Sequence, residues 1–255
     1  LVVGEAAAEV VLGAVPGERG PDLEIGHRLF FEGPDREDVD EAAALDPVAE
    51  ARAHHRGFRF RPGDGFGGGR DHREGAGVHL YRMFGFNEVP IFDPFLMLDD
   101  FRSDTPDHYL KGFPWHPHRG IETITYVLKG DVEHGDSLGN RGIIQAGDVQ
   151  WMTAGRGVQH SEMFPLLNRE GPNTLELFQI WLNLPGAKKM ADPYFKIFWN
   201  EEIPLLRHAG VEVLLVAGSL SGTNALSPPP DSWAADPEND VVVALLTMEP
   251  GSMFR

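Results

Sequence analysis

HPHRGIETITYVLKG, residues 116–130, and GVQHSEM, residues 157–163, decide how this chain is read. In the first stretch His116 and His118 stand one residue apart, directly ahead of a run of β-branched and aromatic residues that ends at Gly130. Residues i and i+2 of a strand point to the same side, so the two imidazoles project together if the strand reaches back to them. An isolated HxH is more readily a pair of surface or hydrogen-bonded histidines than a metal site, because two ligands do not hold an ion. The second stretch changes the balance, since His160 and Glu162 repeat the i, i+2 spacing on a later strand. Two strands that each offer two ligands to one interior give three histidines and one glutamate. That mixed nitrogen–oxygen set suits Fe(II), Mn(II), Ni(II) or Cu(II), with positions left for water, dioxygen or a substrate oxygen.

The segment between the pairs supports this geometry. GDSLGNRGIIQAGDVQWMTAGRGVQH, residues 135–160, alternates turns with short strands. Gly147-Asp148 and Gly155-Arg156-Gly157 supply places where positive φ costs little, and so return the second pair antiparallel to the first. From Val78 onward the whole chain has this texture, in VHLYRMF, IFDPFLMLDDF, LELFQIWLNL, FKIFW, VEVLLVAG and DVVVALLTM. Short apolar runs broken by Gly, Pro, Asn and Asp predict an all-β barrel or sandwich. NEEIPLLR, residues 200–207, reads as a loop or one helical turn, and LSPPPDSWAADPEND, residues 226–240, as a proline-rich connection.

The front of the chain is different. Residues 1–60 are acidic and alanine-rich, with a short helix expected over 35–55 and Asp35 or Asp38 as its cap. Residues 61–77 read as a flexible glycine-rich linker. Gly63, Gly65 and Gly68 spell GxGxxG there, but a dinucleotide fingerprint needs a buried strand before it and a helix after it, and neither flank has that pattern.

Composition sets outer bounds. The chain has 255 residues, 42% of them apolar, which suffices for a substantial core. A formal charge of −17 argues against a surface for nucleic acid. There is no cysteine, which excludes thiolate metal ligands and a cysteine nucleophile. The apolar start is broken by Glu5 and Glu9 and has no basic flank, so neither a signal peptide nor a membrane span is expected. A cytoplasmic location is expected, or a nuclear one in a eukaryote.

The string from Phe113 to Met163 resembles the pirin family of the cupin superfamily along its length, and DPFLMLDDF, LFQIWLNLP and MADPYFKIF extend the match. The resemblance covers roughly residues 78–255. It implies a bicupin made of two double-stranded β-helix barrels, the first holding one metal ion, usually iron, through His116, His118, His160 and Glu162. Residues 1–77 would be a poorly structured extension, 78–185 the metal-binding barrel, and 186–255 the start of a second barrel. The stop soon after one clear strand, and a start at Leu1 rather than Met, suggest a fragment with that second barrel incomplete. Glu122 falls at the glutamate of the general cupin motif, but in pirin-like proteins the later glutamate is the ligand, so Glu122 is expected beside the ligands rather than among them. Thr153 stands where the general second motif has proline.

The implied activity is of quercetin 2,3-dioxygenase type, cleavage of a flavonol by O₂. The metal would lower the pKa of the substrate hydroxyl and gather the two reactants, and Glu162 would take the proton. The alternative is a co-regulator that turns nothing over and binds a protein partner in an iron-dependent way. Among the other residues, His54, His55 and His72 fall in the extension, and His79, His108 and His208 lack ligand-spaced partners. His134 is expected in a solvated turn. Trp151, Met152, Phe178 and Trp181 read as barrel core, where they could also wall a cavity for a flat aromatic substrate, and Gln179 as a polar residue able to approach the metal.

Overall fold

The computed structural model describes residues 7–13, 58–60, 70–86, 92–249 and 252–254. The helix expected over 35–55, the GxGxxG glycines, His54 and His55 lie outside them. Among the described residues the regular structure is β, with a few short 3₁₀ turns.

The barrel is made of two antiparallel sheets. The larger takes β3 (Arg70–Glu74), β4 (Val78–Phe84), β5 (Phe95–Ser103), β7 (Ile121–Lys129), β10 (Val149–Thr153), β12 (Leu175–Asn183) and β13 (Tyr194–Phe198), in the order β13-β10-β7-β12-β5-β4-β3. The smaller takes β6 (Phe113–His118), β8 (Val132–Asp136), β9 (Arg141–Ile144) and β11 (Val158–Met163), in the order β6-β11-β8-β9. A third sheet holds β14 (Leu205–His208), β15 (Val211–Ala217) and β18 (Val242–Met248), extended by β1 (Ala7–Gly13) and β2 (Phe58–Phe60) from the front of the chain. β16 (Ser219–Leu220) and β17 (Thr223–Asn224) form a small hairpin.

Period-2 alternation sorts each strand of the large sheet into two faces. On β7, β10 and β12, Ile124, Val149, Trp151, Phe178, Ile180 and Leu182 point out of the barrel and pack with Leu214, Val216, Val243 and Leu245 of the third sheet. The other set points inward. At one end of the barrel Val78, Leu80, Phe101, Val127, Ile144, Leu175 and Leu177 fill the interior with apolar side chains. Toward the other end the inward positions become Thr125, Gln150 and Gln179, which lie side by side across neighbouring strands. The site is built there.

Three expectations are corrected. Residues 70–74, placed in the linker, form β3 and pair with β4. RDHRE has almost no apolar content, and an edge strand that gains its ladder from one neighbour does not need any. NEEIPLLR opens on the expected turn, with Glu202 N and Ile203 N donating to Trp199 O at 2.9 and 3.3 Å, but it ends as β14, registered against β15. β13, in the part assigned to the second barrel, pairs with β10 of the first. The loop leading to β13 straps the barrel's rim: Ala191 O accepts from Arg156 N at 2.8 Å, and Lys189 Nζ donates to Gly120 O at 2.9 Å and Asn183 Oδ1 at 2.6 Å. Gly155 makes this seating possible, with φ +50° and the space of its missing Cβ taken by Ala191 O.

Candidate metal centre

The small sheet brings the predicted histidines together through register. His116 on β6 is directly opposite His160 on β11, and His118 is opposite Val158. His116, His118 and His160 each offer a ring nitrogen, all within 4.8 Å of one another. The ring centroids are 4.4 Å apart for His116 and His160, and 4.9 Å for each of the other two pairs.

The protonation of these rings suits ligation. His116 Nδ1 lies 2.8 Å from Pro114 O, which can only accept, so Nδ1 carries the proton and Nε2 presents a lone pair. That nitrogen lies 3.1 Å from His118 Nε2. His160 is fully buried, and neither of its ring nitrogens has a hydrogen-bond partner. A buried imidazole with both nitrogens unpaired is costly in a protein interior, and an ion bound to one of them would remove part of that cost. Burial, reinforced by the neighbouring imidazoles, pushes His118 and His160 down to about 3, so both are neutral at physiological pH.

Glu162 faces the same interior and is buried, but it stands outside the group of mutually close nitrogens. A register shift between His160 and Glu162 against β6 displaces it from a strict i, i+2 continuation. Its Oε2 accepts from Gln179 Nε2 at 3.0 Å, and its Oε1 from Thr125 Oγ1 at 3.3 Å and Gln150 Nε2 at 3.4 Å. Gln179 thus reaches the site through Glu162. Thr125 and Gln150 were not singled out from sequence. Their signal is positional, as polar letters on the faces of β7 and β10 that also carry Val127 and Met152.

His134 is a correction. It is buried on β8 rather than solvated in a turn, and lies directly opposite Glu162 across the β8–β11 pairing. Its Nε2 is 3.4 Å from Asp136 Oδ2, its ring stacks on Phe195 at 4.4 Å, and its centroid is 5.5 Å from His160. The carboxylate of Asp136 is held by Leu138 N and Asn140 N, each at 2.9 Å, and by Asn140 Nδ2 at 2.8 Å. His134 and Asp136 carry the same i, i+2 spacing as the other pairs, which was the available signal.

Glu122 is the second correction. It occupies an outward position of β7 and does not border the histidines. Its carboxylate is fully buried and accepts from Trp151 Nε1 at 3.1 Å, Thr153 Oγ1 at 2.7 Å and Ser232 Oγ at 2.5 Å. Ser232 comes from the proline-rich connection, which makes that segment part of the packing between barrel and third sheet. Trp151 and Phe178 likewise belong to this outer packing, while Met152 and Trp181 share the inward face. His79 and His108 stack on each other at 4.0 Å, and His72 lies on edge strand β3.

A two-sheet β-barrel with a histidine trio pointing into one end defines a cupin-type protein. The family model for pirin matches residues 77–182. A pirin-like protein of Caulobacter vibrioides is 45% identical over 152 residues, 59% of this chain and 54% of its own length. A pirin-like protein of Solanum lycopersicum is 44% identical over 153 residues, 60% of this chain and 50% of its own. The crystal structure of quercetin 2,3-dioxygenase from Acinetobacter baumannii superposes with a TM-score of 0.57 at 34% identity, covering 63% of this chain and 57% of that one. The chain therefore spans about half the length of the curated relatives it matches. No helix among the described residues is long and apolar enough to cross a membrane.

Proposed function

We propose that the chain is the metal-binding part of a dioxygenase that cleaves flavonols with O₂, with His116, His118, His160 and Glu162 as ligands of one divalent metal ion, Fe(II) by preference. The observation that carries this reading is the convergence of three imidazoles within 4.8 Å, one of them fully buried with both nitrogens unpaired. When bound, the metal would supply Lewis acidity toward a substrate hydroxyl and a meeting place for substrate and O₂. The protein's own contribution is orientation and proton handling. His116 is fixed by Pro114 O in the tautomer that exposes Nε2. Glu162 is held by side-chain donors of Gln179, Gln150 and Thr125, which orient its carboxylate to take the proton of the flavonol's 3-hydroxyl. Burial around His160 and Glu162 keeps bulk water from competing.

The test is O₂ consumption by the Fe(II)-loaded protein on addition of quercetin, with metal content measured in parallel. Uptake by the parent protein, lost in His118→Ala together with iron stoichiometry, is the expected result. A folded protein that holds iron and consumes no O₂ would sink the dioxygenase reading and leave iron-dependent binding of a protein partner as the alternative. For Glu162→Gln the expected effect is a fall of about 10²-fold or more in kcat with quercetin, in the range general-base removal gives. Undiminished turnover would remove Glu162 from the proton-transfer role.

A further inference from the structure

Of the four large side chains that the sequence marks near the site, two face it, and they differ in access. Met152 is buried, whereas Trp181 is only half-buried. The Trp181 ring meets His118 edge-on, with centroids 5.0 Å apart and planes at 81°. Its Nε1–H donates to Gln179 Oε1 at 3.3 Å, while the amide nitrogen of Gln179 donates to Glu162 Oε2 at 3.0 Å. The amide is therefore fixed from both ends: its oxygen must face the indole and its NH₂ must face the carboxylate. Farther out, Trp181 meets Phe86 at 6.0 Å, and Phe86 is 62% exposed. An aromatic surface thus runs from solvent to a ring of the histidine trio.

We infer that Trp181 is a specificity-determining residue of the site, its indole being the wall against which a planar aromatic ligand lies when its oxygens reach the histidines, with Gln179 holding that wall in place. The inference rests on the metal-centre and flavonol reading above. Large, rigid aromatic side chains place much apolar contact area at little entropic cost, and ring–ring geometry adds attraction beyond area. A small aliphatic chelator has no ring to lay on the indole, so its binding should be indifferent to Trp181.

The test uses the full chain loaded with Zn(II) under anaerobic conditions, so that binding is read without turnover. Quercetin is titrated by its own absorption band and acetohydroxamate by calorimetry, on the parent protein, Trp181→Leu and Trp181→Phe. Trp181→Leu is expected to weaken quercetin by about tenfold or more and Trp181→Phe by about threefold or less. Acetohydroxamate affinity and zinc stoichiometry should stay at the parent values. Equal quercetin binding by the parent and the leucine variant overturns the inference while leaving the flavonol reading intact. So does an equal loss for both ligands, which makes Trp181 a support for His118 and nothing more. A parent protein that binds acetohydroxamate but not quercetin overturns the flavonol reading and this inference with it.

Discussion

Glu122 shows how far a carboxyl group's surroundings alter its behaviour. Burial raises it from its ordinary 4.5 to about 7, helped by the nearby Asp231, against the pull of the donors Ser232, Thr153 and Trp151. Below pH 4.5 the group holds its proton whether the chain is folded or not. Between 4.5 and about 7 the unfolded chain gives its proton up first, so folding must take one back and stability falls as pH rises. The whole effect is on the order of 3 kcal/mol, since each tenfold change in proton affinity corresponds to about 1.4 kcal/mol. Glu122→Gln, a permanent mimic of the neutral acid, should therefore be more stable than the parent at pH 8, with the gap closing toward pH 5. Denaturant melts at the two pH values check this, and a gap that widens on acidification would refute it. At this scale the histidine trio was legible because HxH on a strand fixes direction without knowledge of any partner. His134 was not, because whether EHGD continues a strand or turns depends on pairing with β11, a long-range contact that no local letter encodes. Glu122 matched a motif by spacing, but its side of β7 is set by the parity of the strand.

Elements were legible in proportion to their apolar content. β4, β7, β12, β15 and β18 coincide with runs visible in the letters. β3 and β8 carry few apolar residues, β14 is only four residues long, and all three exist because a neighbour completes their ladders. The strap before β13 was read only as a family motif, and its role comes from contacts across the rim. Gly155→Ala should test it. An added methyl would collide with Ala191 O in a left-handed backbone position, and the backbone conformation alone costs roughly 1–2 kcal/mol for a non-glycine residue. We expect destabilisation of at least about 1–2 kcal/mol in chemical denaturation. A neutral result would mean that the strap is not seated on this turn.

On the scale of the molecule, the outward face of the barrel and the third sheet share one core, with Ile124, Trp151, Phe178 and Ile180 on one side and Leu214, Val216, Val243 and Leu245 on the other. Neither side can keep its apolar surface covered alone, so the barrel and the sheet should melt in one calorimetric transition. Two resolved transitions would contradict the shared core. Ile180→Ala should lower the stability of both together by about 2–5 kcal/mol.

The wall between that core and the site is a single strand thick. Thr125 and Tyr126, Gln150 and Trp151, and Gln179 and Ile180 are chain neighbours that serve opposite compartments. Loss or gain of one residue within β7, β10 or β12 would exchange the two sets, setting indole and phenyl rings where amides belong and amides in the oily seam. Insertions and deletions should therefore be tolerated at the hairpin tips, such as the one around Leu138 and Gly139, where the count between strands carries no parity to preserve.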